Sequence, residues 1–190
     1  MLDAAVEIIR TKGLNATTVD ELCAAAGVTK GAFFHHFATK EALAVAAAQH
    51  WSETTGQLFA VAPYHDHADP VDRIFGYLDL RAGLIAGTPA HYTCLAGTMA
   101  QEAFETSPDV RAACAASIFG HVDTLEADFA EALAAGTAPD VGAASLARFT
   151  QTVLQGAFVL SKAANDPAMV LDSIDHLRRY LEFLFQPQGD

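Results

Sequence analysis

Apolar positions recur along the chain at helical spacing, and no stretch alternates as a half-buried strand would. Leu2, Ala5, Val6 and Ile9 share one helical face, and Gly13 follows as a stop signal, which predicts a first helix over 2–12. Thr18 stands before Val19-Asp20-Glu21-Leu22, an N-cap with a glutamate three residues on. This capping box opens a second helix that runs to 26, where Gly27 is placed to close it in a left-handed conformation. Thr29 caps a short third helix over 30–37, and Thr39-Lys40-Glu41 opens a fourth that extends to about 60. A polar break covers 63–70. Beyond it, helices are predicted over 70–86, 91–106, 109–135, from Pro139 or Asp140 to 164, and 168–185. The interruptions are Gly87-Thr88-Pro89, Ser107-Pro108, Gly136 and Asn165-Asp166-Pro167. The pattern describes an all-α chain of nine helices.

Composition narrows the class. A chain of 190 residues, 52% of them apolar, suits a small domain joined to a larger one. No apolar run approaches the ~18 residues of a membrane span, and the N-terminus lacks the basic, apolar and small-residue order of a signal peptide. The expectation is a soluble cytoplasmic protein without contact to a membrane. Cys23, Cys94 and Cys114 are odd in number and form no CxxC pair, so neither a disulfide framework nor a zinc site is expected. His65-Asp66-His67 with Asp69 reads as a polar loop, because two histidines one residue apart do not complete a tetrahedral site. No metal and no cofactor are expected.

The net charge of −12 argues against a polyanionic partner until its distribution is considered. Residues 1–50 hold four Lys/Arg and five Asp/Glu, whereas residues 51–190 hold seven and eighteen. DNA contact is therefore expected from the N-terminal part alone, and it should be modest and sensitive to salt.

That part carries a second and a short third helix joined by a glycine turn, the pattern of a helix-turn-helix. In such a motif the second of the two helices lies in the major groove. Phe33 and Phe37, four residues apart, should pack inward. Gly31 and Ala32 are small enough to let the backbone approach DNA. Thr29 and Lys30 stand at a helix start, where free N–H groups favour phosphate. His35, His36 and Lys40 can donate to phosphates or base edges.

The block TTVDELCAAAGVTKGAFFHHFATKEAL, residues 17–43, resembles the DNA-binding domain of the TetR/AcrR family of bacterial repressors. The matching features are Thr18, the Ala26-Gly27-Val28 turn, Gly31, Phe34 with Phe37, and Lys40 with Leu43. The resemblance implies a DNA-binding domain over 1–47, with contacts from Thr18, Thr29, Lys30, Gly31, Ala32, Phe34, His35, His36 and Lys40. It also implies a ligand-binding and dimerisation domain over 48–190. Two features depart from the family pattern. Phe34 stands where the family usually has a phosphate-reaching Tyr, and the chain opens at Met1-Leu2-Asp3 without the basic arm that many members carry.

In the larger domain, the last two predicted helices are strongly apolar. Their apolar faces can be buried within the subunit or against a second copy; the resemblance implies a homodimer interface, with Leu146, Phe149, Val153 and Leu160 on one helix and Ile174, Leu177, Leu181 and Leu184 on the other. Candidate effector contacts are Phe59, Phe75, Tyr92, Cys94, Met99, Phe119, Gln151, Gln155 and Phe158. Trp51, Phe104 and His121 belong to the same group of aromatic and polar side chains. Gln151 and Gln155 stand out, because they share one face of an apolar helix and a buried amide needs a hydrogen-bond partner. Such a pocket is mostly apolar with few polar anchors. YTCLAGTMAQE, 92–102, is similar to a Gly-Cys-Leu-type segment of many family members.

The functional expectation is a ligand-responsive repressor that binds a palindromic operator in double-stranded DNA as a homodimer and is released by a small, largely apolar effector. Two alternatives are a repressor that senses oxidants or electrophiles through Cys94, and a helical interaction module that has lost DNA binding. No nucleophile–base spacing or phosphate-binding glycine loop points to an enzyme.

Overall fold

The computed structural model describes residues 1–135 and 141–185, and among them every regular element is helical. The helices are α1 (Leu2–Lys12), α2 (Val19–Ala26), α3 (Lys30–His36), α4 (Lys40–Ala60), α5 (Pro70–Gly83), α6 (Pro89–Tyr92), α7 (Leu95–Ala103), α8 (Pro108–Ala135), α9 (Ala143–Ala164) and α10 (Ala168–Phe185), with a 3-10 turn at Pro63–Asp66. Among the described residues there are thus ten helices rather than nine. The helix expected over 91–106 is two, because Thr93 and Cys94 break it. Cys94 takes an extended conformation and caps α7, its Sγ accepting from the Gly97 N–H at 3.3 Å. The predicted stop at Gly136 and start at Pro139 or Asp140 lie outside the described residues.

Local signals account for most of the remaining boundaries. The capping box is formed: the Thr18 hydroxyl accepts from the Glu21 N–H, and the Glu21 carboxylate accepts from the Thr18 N–H at 2.9 Å. Gly27, at φ 66°, closes α2 in the left-handed region. Asn165, at φ 52°, does the same for α9, a conformation asparagine tolerates better than most residues. The chain divides into two compact units, Met1–Leu58 with Thr93–Phe119, and Phe59–Tyr92 with the residues from Gly120 onward. The first holds the expected DNA-binding domain together with α7 and the first part of α8.

The core of the first unit gathers Ala5 and Ile9 of α1, Leu22 of α2, Phe33 of α3, Leu43 and Ala47 of α4, Met99 of α7 and Cys114 of α8. Alanines at 44, 47 and 48 are fully buried and let the neighbouring helices approach α4 closely. In the second unit, α10 lies along α9 and also meets α5, while α6 meets α9. Leu146, Ile174, Leu177, Leu181 and Leu184, expected at a dimer interface, are at most 5% exposed and spend their surface inside this unit. The apolar side chains that remain exposed on these helices are Phe149, Val159 and Leu160 of α9 and Leu171, Tyr180 and Phe183 of α10.

Candidate nucleic-acid interface and effector unit

The recognition helix is held by a cap at its start and a buried ring beneath it. Thr29 Oγ1 accepts from the Ala32 N–H at 3.1 Å. Phe33 is completely buried, and full burial of such a side chain is worth about 1.5–3 kcal/mol. Phe37 is half-buried and lies 5.9 Å from it. Lys30, Gly31, Phe34, His35 and His36 are left in solvent, and Ala32 is half-buried. Phe34 is 54% exposed and packs edge-on against Phe33, 5.1 Å between ring centres. The exposed side of α3 thus presents one aromatic ring, two imidazoles and an ammonium group. Lys30 pairs with Asp20 at 2.7 Å, but both side chains are exposed. An exposed pair of this kind contributes little to stability, so the ammonium is readily exchanged to a phosphate.

Two other residues expected at DNA have structural tasks. Thr18 sits in the capping box. Lys40 donates from Nζ to the carbonyls of Leu14 and Thr17, both at 3.0 Å, and to that of Asn15 at 3.5 Å. Its ammonium therefore closes the turn between α1 and α2, and any phosphate must compete with three carbonyl oxygens for it. The same turn is held from α7, where the Glu102 carboxylate accepts from the Asn15 N–H at 2.9 Å. Gly13 at φ 88° leaves room for that carboxylate, which a Cβ at this position would strike. Further along α1, Arg10 Nε donates to the Thr93 carbonyl at 2.9 Å, and its guanidinium lies 4.6 Å from the centre of the Trp51 ring. Burial holds the Arg10 pKa below its ordinary value.

The expected effector residues are divided between the two units. Cys94, Met99 and Phe119 belong to the first unit. Met99 is fully buried in its core and Phe119 is 56% exposed. Trp51 and Phe104 also lie in the first unit. In the second unit, Phe75 lies under the Arg178 guanidinium, Phe158 is buried, and Tyr92 donates to or accepts from Ser161 Oγ at 2.6 Å. Gln155 is half-buried. Gln151 is only 5% exposed, and among the described residues its Oε1, like the hydroxyl of the adjacent Thr150, has no hydrogen-bond partner.

Tyr77 and Arg81, one helical turn apart on α5, were not singled out by the sequence. With Phe59 and His121 they form a tight cluster. Arg81 Nε donates to the Tyr77 hydroxyl at 2.7 Å, and Arg81 Nη2 and that hydroxyl both reach His121 Nε2 at 2.9 Å. An arginine only donates, so Nε2 is the acceptor and the ring proton resides on Nδ1. Burial, aided by the arginine charge, lowers the His121 pKa to about 3. The ring is therefore neutral at physiological pH.

Among the described residues no group of three His, Cys, Asp or Glu is placed to hold a metal ion. The three cysteines are free, and burial raises the Cys114 thiol to about 12. No described helix is long and apolar enough to cross a membrane.

Comparison with known proteins agrees with this architecture. Residues 1–47 match the family model described as bacterial regulatory proteins, tetR family. Residues 70–176, more than half the chain, match the C-terminal domain described as transcriptional regulator LmrA/YxaF-like. YerO of Bacillus subtilis, described as an uncharacterized HTH-type transcriptional regulator, is 35% identical over 51 residues, 27% of this chain and 18% of that protein. The HTH-type transcriptional repressor KstR2 of Rhodococcus jostii is 42% identical over 43 residues, 23% of this chain and 21% of its own length. Among solved structures, a TetR regulator from Chloroflexus aurantiacus superposes with a TM-score of 0.83 at 27% identity, covering 98% of this chain and 92% of the other. A TetR-family regulator from Agrobacterium tumefaciens shares the fold with a TM-score of 0.83 at 21% identity, covering 96% and 94%. With residues 1–47 and 70–176 both matched to bacterial transcriptional regulators, the chain belongs to the TetR family.

Proposed function

We propose that this regulator is a ligand-responsive repressor that binds a palindromic operator as a homodimer and leaves it when a small, largely apolar effector occupies the second unit. The observation that carries the effector part is Gln151. A buried carbonyl oxygen without a donor costs on the order of 1–3 kcal/mol, and a bound molecule that supplies the donor recovers it. The DNA part is supported by the exposed side of α3, where Lys30, Gly31, Phe34, His35 and His36 surround a backbone fixed by Thr29 and Phe33. The dimer part is supported by the solvent-facing apolar side chains of α9 and α10. Phe149, Val153 and Leu160 follow helical spacing along α9, and Phe149 meets Tyr180 of α10 with ring centres 5.4 Å apart.

Tyr92 and Thr93 are consecutive. The side chain of the first is bonded to α9, and the carbonyl of the second receives Arg10 of α1. An effector that repositions α6 therefore pulls on the residue next to the anchor of α1. Release then follows as a population shift, in which the effector binds the DNA-incompetent state more tightly.

The test is a mobility-shift titration with DNA from upstream of the regulator's own gene. Wild-type protein should retard it at low salt, and replacing both Lys30 and His36 by Ala should weaken binding at least about tenfold, the effect of ~1.4 kcal/mol. Unchanged affinity in the double variant would remove α3 from the interface. In parallel, Phe149→Glu should sediment as a monomer while retaining its helical circular dichroism. A Phe149→Glu dimer would place the subunit contact elsewhere.

A further inference from the structure

We infer that the effector is an organic acid, a carboxylate on an apolar or aromatic body, and that Arg81 is the residue that reads its charge. The inference rests on the effector unit just proposed and adds the chemical class of the ligand. Arg81 is half-buried on α5, with its guanidinium 4.4 Å from the centre of the Phe59 ring and 5.2 Å from that of Tyr77. Its hydrogen-bond partners are the Tyr77 hydroxyl and a neutral His121. Both are uncharged, so they orient the guanidinium without balancing it. Among the described residues no carboxylate lies within ion-pair distance.

The absence is specific to this arginine. The chain carries 23 Asp and Glu against 11 Lys and Arg, so acidic partners are plentiful. Two turns earlier on α5, Arg73 takes both Asp128 and Glu131. Arg178 on α10 takes Asp79, also of α5. Arg81, further along α5 and against the Phe59 and Tyr77 rings, takes none among the described residues. Its place in the last turn of α5 lets the carbonyl end of the helix offset part of the charge, but a helix end supplies no full counter-ion.

The geometry also shows which edge is free. Nε and one proton of Nη2 are used by Tyr77 and His121. Both protons of Nη1 and the second proton of Nη2 have no partner among the described residues. One proton of each nitrogen lies on the Nη1–Nη2 edge, the fork that donates two parallel hydrogen bonds to a carboxylate. The surrounding Phe59 and Tyr77 rings, with Tyr64 5.9 Å from Tyr77, suit an apolar body rather than a polyanion.

The experiment uses the full chain and a matched pair of probes: 4-phenylbutyrate and its uncharged amide, with two further aryl carboxylate and amide pairs of different length. Binding is read by calorimetry and by the thermal midpoint. At least one acid is expected to bind and to raise the midpoint, with its amide at least tenfold weaker. Arg81→Gln should lose the preference for the acid, and Arg81→Lys should recover only part of it, because the fork is gone. Acid and amide binding equally well, or no acid binding at all, would overturn the inference, and this comparison needs no variant to fold. Release of DNA by a neutral compound, blocked by Gln151→Leu but not by Arg81→Gln, would overturn the inference while leaving the ligand-responsive repressor intact. DNA binding that no compound alters would count against that broader reading.

Discussion

Arg10 of α1 donates from Nε to the carbonyl of Thr93, 83 positions away in the sequence and 2.9 Å away in the fold. The bond ties the first helix of the DNA-binding domain to the residue before the cap of α7. It is partly buried, and the guanidinium also lies over Trp51. Arg10→Met keeps the aliphatic stem and removes the donor. It should cost about 0.5–1.5 kcal/mol, seen as a lower urea midpoint at an unchanged denaturant slope. A midpoint equal to that of wild type would mean that water replaces the guanidinium and that α1 is held by other contacts.

Lys40 separates a structural from an electrostatic role. A lysine that neutralises a phosphate contributes about 0.9 to the slope of log affinity against log salt. Lys40 is instead committed to the Leu14 and Thr17 carbonyls. Lys40→Met should therefore lower stability by about 1–3 kcal/mol, the cost of leaving charge-assisted bonds unmade, and should leave the salt slope of operator binding unchanged. A shallower slope with unchanged stability would assign Lys40 to the DNA backbone.

Phe34 offers a gain of affinity. Its ring is 54% exposed on α3, at the position where the family usually carries a phosphate-reaching tyrosine. Phe34→Tyr adds a donor without changing the packing on Phe33. A net hydrogen bond of about 0.5–1.5 kcal/mol should tighten operator binding roughly two- to tenfold in a mobility-shift titration. Equal or weaker binding would show that this ring faces no phosphate.

His121 makes stability depend on pH. Its folded pKa, about 3 through burial and the neighbouring Arg81, lies below the ordinary histidine value of 6.5. Between those values the unfolded chain binds the proton that the folded chain refuses. Stability is therefore complete above about pH 6.5 and falls as the pH is lowered towards 3. His121→Asn should flatten the thermal midpoint between pH 6.5 and 4.5, above the range where carboxylates dominate. Glu21 contributes at lower pH. The hydrogen bond from Lys12, then those from Thr18, hold its pKa at about 2, so its contribution is present above about 4.5 and is lost below. An unaltered midpoint profile in His121→Asn would mean that the imidazole is protonated in the fold.

The elements legible in the sequence were those with local causes. The Thr18–Glu21 box, the Gly27 turn, the Asn165 stop and the range of α10 each depend on residues within one or two turns, and the structure shows all of them. The break at Cys94 was missed, because a cysteine is a weak cap and the apolar spacing runs through it. Apolar periodicity on α10 points to a buried face, but periodicity does not name the neighbour. Ile174, Leu177, Leu181 and Leu184 are buried within their own subunit, and other side chains were left outside.

The sequence by itself determined the helical class, the helix-turn-helix and the family, since caps, turns and a contiguous motif act over a few residues. Tertiary structure alone decided how each charged or polar group is spent. Lys40 closes a turn because Leu14 and Thr17 return to it, and the buried Gln151 Oε1 finds no donor among the described residues. Arg81 has no carboxylate partner among the described residues, because α4, α5 and α8 bring Phe59, Tyr77 and His121 around it. Pairing of charges depends on distance in space and on exclusion of water, and neither is written in the spacing of residues along a chain.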